Sequence, residues 1–71
     1  MTAARWKARV HAGQTVYTAV LDGYAAQVVH VHSREPVWQV RHMLTGDVVS
    51  SGHGGCAVAW AALTAAVEPG H

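Results

Sequence analysis

The 71-residue sequence predicts a single α+β domain, an antiparallel meander of four to five strands with one C-terminal helix packed on one face. Three observations carry that reading. Apolar and polar residues alternate with period two along the first strand candidate. Turn signals recur about every 8–12 residues. The stretch from Cys56 to Val67 is alanine-rich and holds no charge, glycine or proline, which favours helix.

The first strand, about 5–11, places Trp6, Ala8 and Val10 on one face and Arg5, Lys7, Arg9 and His11 on the other. Ala12-Gly13-Gln14 makes a short turn. The β-branched and aromatic run TVYTAVL gives a second strand over 15–21. Asp22-Gly23 is a strong hairpin signal, because both positions tolerate positive φ. A third strand follows over 24–32, ended by Ser33-Arg34-Glu35-Pro36, since proline stops ladder pairing. VWQVRHM supplies a fourth strand over 37–43, and a short fifth runs over 47–51. Ser51-Gly52-His53-Gly54-Gly55 breaks the strand pattern. The helix spans about 56–68 and closes at Pro69-Gly70. Trp60, Leu63 and Val67 fall at helical spacing and form the stripe expected against the sheet.

The order Asp22-Gly23-Tyr24, Ala26, Val28, Trp38-x-Val40, Gly46-Asp47-Val48-Val49-x-Ser51-Gly52 and an alanine-spaced helix resembles a pattern of small uncharacterised sheet-plus-helix proteins of actinobacteria and their phages. The resemblance covers about two thirds of the chain. It implies an antiparallel sheet with one helix packed across it, and no activity.

Composition narrows the function classes. Charged residues make up 13% and hydrophobic ones 51%, against roughly 25% charged in typical domains. So small a domain has much surface for its volume, so the surplus apolar surface is expected to meet a partner protein or a second copy. The net charge of +1 is a weak footprint for non-specific nucleic-acid binding. Cys56 is the sole cysteine, which fits a reducing compartment. Arg5, Lys7 and Arg9 interrupt any signal-like apolar run, and no apolar stretch approaches the length of a membrane span. The expected location is cytoplasmic, with no membrane partner.

Several constellations could carry chemistry. His53-x-x-Cys56, with His30, His32 and His42, has ligand-type residues, but it lacks the two well-spaced pairs of a zinc site, so no metal is expected. Gly52-x-Gly54-x-x-Ala57 matches the letters of a dinucleotide fingerprint without the following parallel strand or acidic residue that mode requires. Cys56 at a helix start would have its thiolate favoured, but no orienting acid or amide lies near it in sequence. No enzyme activity and no cofactor are expected.

Two surfaces remain. If Tyr24, Ala26, Val28, Trp38 and Val40 face the helix, then Val29, Val31, Val37 and Met43 face away and are the candidate partner-binding residues, with a homodimer or host-protein complex as the product. The alternative is nucleic-acid binding through Arg5, Lys7, Arg9 and Arg41, whose side chains could track phosphates. The principal reading is a non-enzymatic accessory protein that works by protein–protein binding or self-association.

Overall fold

The computed structural model describes residues 6–67, so Arg5 and Glu68 lie outside the described residues. Five strands, β1 (Lys7–His11), β2 (Gln14–Leu21), β3 (Tyr24–Val31), β4 (Val37–His42) and β5 (Val48–His53), precede one helix, α1 (Cys56–Val67). The strands form a single sheet in the order β1-β2-β3-β4-β5, every neighbouring pair antiparallel. This is the expected meander with a C-terminal helix.

Turn chemistry sets the register. The β1–β2 and β2–β3 hairpins are two-residue turns, Ala12-Gly13 and Asp22-Gly23, with positive φ at all four positions. That is the type I′ geometry whose twist matches the flanking strands. The first turn is therefore shorter than expected, because Gln14 already pairs with His11. Between β4 and β5 the His42 N–H donates to the Asp47 carbonyl (2.8 Å) and the Gly46 N–H to the His42 carbonyl (2.7 Å). A bulge follows: Val40 pairs with Ser50 but Arg41 with Val48, leaving Val49 as the extra residue.

β5 corrects one expectation. Gly52 and His53 belong to the strand rather than to a loop, pairing with Trp38 and Val37, and the Gly54 N–H extends the pairing by donating to the Pro36 carbonyl (2.9 Å). The cause is close packing. A Cβ on Gly52 would stand 2.9 Å from Cζ2 of Trp38, so the glycine is where the indole lies against the strand. Only Gly54-Gly55 connects sheet to helix.

α1 packs on β2, β3 and β4. The core comprises Ala19, Ala26, Val28 and Val40 from the sheet and Ala59 and Leu63 from the helix. Alanines on both layers let the helix axis come close, and Leu63, fully buried, contributes about 1.5–3 kcal/mol. The buried stripe is therefore centred on Ala59 and Leu63. Trp60, expected within it, packs against this core. It stands half-buried at the edge, where its ring meets Trp6 at 6.3 Å in an edge-on arrangement. No described helix is long and apolar enough to cross a membrane.

Candidate binding face

The pleat decides which side chains share a face, because residues in direct register point the same way and neighbours along a strand alternate. Tyr17, Tyr24, Val28, Trp38 and Val40 lie on the helix side, packed in or against the core. The residues between them must therefore emerge on the opposite side, which the single helix leaves open. Cross-strand register arranges that side in rows. One runs Lys7, Thr18, Gln27, Gln39, Ser51. The next runs Arg9, Val16, Val29, Val37, His53. On the other flank of the first lie Val20, Ala25, Arg41 and Val48.

Both candidate sets thus fall on one surface. Val29 and Val37 are direct cross-strand partners, with Val31 two residues further along β3. Val31 and Val37 are exposed and Val29 is half-buried. Met43 does not join them. It lies beyond β4, where its N–H donates to the Gly23 carbonyl (2.9 Å), at the opposite end of the strand from Val37. Lys7, Arg9 and Arg41 are exposed on the same open face. The described acidic residues, Asp22, Glu35 and Asp47, sit in turns and loops and none on the sheet. The charge of the open face is consequently all positive, although the chain as a whole is nearly neutral.

Sequence reasoning missed Thr18, Gln27, Gln39 and Ser51. The signal was present: with Val28 and Trp38 facing the helix, Gln27 and Gln39 must face away. The surface expected to be apolar is two-toned, a valine row beside a row of amides and hydroxyls. Thr18, Gln27, Gln39 and Arg41 surround Ala25 in one shallow depression. A second depression lies against Lys7, Arg9, Val16 and Gln27, and a third against Gln27, Val29, Val37, Gln39 and His53. Gln27 borders all three.

The remaining chemistry-bearing residues do not converge. His30 pairs with Thr15 at one end of β3 and His42 with Tyr24 at the other, so the two histidines are about 20 Å apart along the strand direction. His32 is in the turn after β3 and His53 is on the open face. Among the described residues no three His, Cys, Asp or Glu side chains are grouped to hold a metal ion. The His42 ring packs edge-on to Tyr24 at 4.9 Å. Cys56 sits in the first turn of α1, but burial pushes its thiol up from the ordinary value, opposite to the activation expected from its place at the helix start. Gly52 and Gly54 flank the end of an edge strand of an antiparallel sheet, and α1 is followed by no described strand, so the dinucleotide geometry is not built. On the helix side an apolar groove runs between α1 and β5, bordered by Tyr24, Trp38, Val49, Ala62 and Ala66.

No family model, curated protein or solved structure matches this chain.

Proposed function

We propose that this chain is a non-enzymatic, cytoplasmic binding module whose open sheet face engages nucleic acid, the alternative raised by the basic first strand. One observation carries the reading: every fully charged side chain on that face is a cation, Lys7, Arg9 and Arg41, while the described acids are confined to turns and loops. Phosphate contact is the commonest use of such side chains on nucleic acid, and the Thr18-Gln27-Gln39-Ser51 row supplies groups that hydrogen-bond sugar, phosphate or base edges. The near-neutral net charge matters less than this segregation, since the local field acts on the ligand.

The second reading, docking of a protein or a second copy, is favoured by the valine row Val16-Val29-Val37, with Val31 beside it. Two features weigh against it. The face holds none of the tryptophan or tyrosine anchors on which interfaces usually depend. A second copy would also cover Arg9 and Arg41 with a surface offering no acid to pair them. An origin in actinobacteria or their phages rests on the sequence resemblance alone.

Fluorescence anisotropy with a labelled mixed-sequence duplex tests the proposal. Affinity should fall steeply between about 50 and 200 mM salt, and the triple substitution Lys7→Gln, Arg9→Gln, Arg41→Gln should abolish most of that dependence. An affinity indifferent to salt, or unchanged in the triple variant, contradicts it. If the purified protein is instead a dimer that Val31→Lys converts to a folded monomer, the second reading takes its place.

A further inference from the structure

We infer that the nucleic acid is double-stranded DNA, read in the major groove by Gln27, Gln39 and Arg41 while Lys7 and Arg9 hold the phosphate backbone. This rests on the nucleic-acid reading and names the ligand's form and the residues that discriminate among sequences.

Three observations select the duplex. First, the sequence has three tryptophans, two tyrosines and no phenylalanine, and all five rings pack against the core on the helix side. Modules that bind single strands stack bases on exposed aromatic rings, and this face offers none. Second, the face presents side-chain amides at its centre. Gln27 and Gln39 are direct cross-strand partners, with Cβ atoms about 5 Å apart. An amide donates through its NH2 and accepts through its oxygen, matching adenine N7 and N6 in the major groove. A guanidinium donates to guanine O6 and N7. Arg41 stands two residues from Gln39 on β4 and borders the same depression as both glutamines, with Ala25 leaving its floor clear. Third, the strand order suits the approach. β3 and β4, which carry Gln27, Gln39 and Arg41, lie one spacing apart, about 5 Å, the two-stranded width that a B-form major groove about 12 Å wide admits, with β2 and β5 on either side. β1 is two spacings from β3, about 10 Å, where Lys7 and Arg9 reach phosphates. The major groove of A-form RNA is too deep and narrow for this approach.

The test compares three probes of the same sequence, a DNA duplex, its single strand and an RNA duplex, by anisotropy with the full chain, followed by selection from a duplex pool with a randomised centre. The duplex DNA should bind tightest, and the pool should converge on a defined sequence preference. Lys7→Gln with Arg9→Gln should weaken all duplexes alike and lower the salt slope by about two. Gln39→Ala should leave the salt slope unchanged and relax discrimination at one position by about 5- to 150-fold. Circular dichroism verifies that each variant is folded. Tighter binding of the single strand or of RNA overturns this inference while leaving nucleic-acid binding intact. A pool without preference, or a preference that Gln39→Ala and Arg41→Ala leave unaltered, overturns it as well. Failure of all three probes at low salt removes the underlying reading together with it.

Discussion

Gly52→Ala isolates the contact that fixes β5. The backbone conformation there is one any residue adopts, so the change itself should help: glycine within a strand costs roughly 0.5–1 kcal/mol relative to alanine. Against this, the new Cβ would lie 2.9 Å from Cζ2, 3.2 Å from Cε2 and 3.4 Å from Nε1 of Trp38. Three atoms of one rigid ring cannot be relieved by rotating a chain end; the whole indole must shift. Overpacking of this kind costs about 1–3 kcal/mol. The apolar groove bordering Trp38 gives the ring some room, which holds the cost toward the middle of that range. The net expectation is a loss of about 1 kcal/mol, a drop in Tm of about 4–8 °C for a domain of this size. Thermal and urea unfolding followed by tryptophan fluorescence and circular dichroism measure it. In a Trp38→Leu background the same substitution should cost much less, because the ring is gone. An unchanged or raised Tm for Gly52→Ala, or an equal cost in both backgrounds, refutes the packing argument.

Other expectations concern the turns, the core and the thiol. Ala12 has φ 51° in a type I′ turn, a region that costs an L-residue about 1–2 kcal/mol, so Ala12→Asn should raise Tm; a fall would contradict the turn assignment. Leu63→Ala should cost about 2–5 kcal/mol and leave much of the chain unfolded at room temperature, seen as loss of the cooperative melt; a fold that tolerates it would show that α1 does not close the core. Gly55 precedes the helix, its carbonyl accepting the Ala59 N–H, and a Cβ at this position would meet nothing within 4 Å; Gly55→Ser should add an N-cap worth a few tenths of a kcal/mol, read as a small rise in urea midpoint. Cys56, whose thiol is pushed up by burial, should react with iodoacetamide at pH 8 more slowly than in urea. Because the folded state favours the neutral thiol, that contribution to stability is full below the ordinary thiol range and is lost as pH rises through the folded value. Equal alkylation rates in the two conditions would contradict it.

The strands were legible because their signals are local. Asp22-Gly23 announces a type I′ turn, and Tyr24, Ala26 and Val28 alternate with Ala25, Gln27 and Val29, so the face of β3 follows from the turn before it. The end of β5 was not legible. Glycine at 52 reads as a breaker until the indole of Trp38 is known to need its missing Cβ, a contact set by pairing across strands. The helix stripe was legible at Leu63 and at Trp60, which packs against the core, but not at Ala59. Ala59 is fully buried, but in a helix rich in alanine its small side chain gives no signal of its own, and only packing on the sheet distinguishes it. As for the candidate site, the valines and the cations were each identified from their own segments. Their coincidence on one face, and the glutamines between them, depends on the register of four strand pairs.

That coincidence is the centre of the proposed function. A titration of the isotopically labelled protein with duplex DNA, followed by amide and side-chain NMR shifts, tests it most directly. The largest changes are expected at Lys7, Arg9, Gln27, Gln39 and Arg41, the side-chain amides of both glutamines included, with α1 nearly silent. Changes concentrated on α1 and the groove beside β5, or no changes on the open face at saturating duplex, would contradict it.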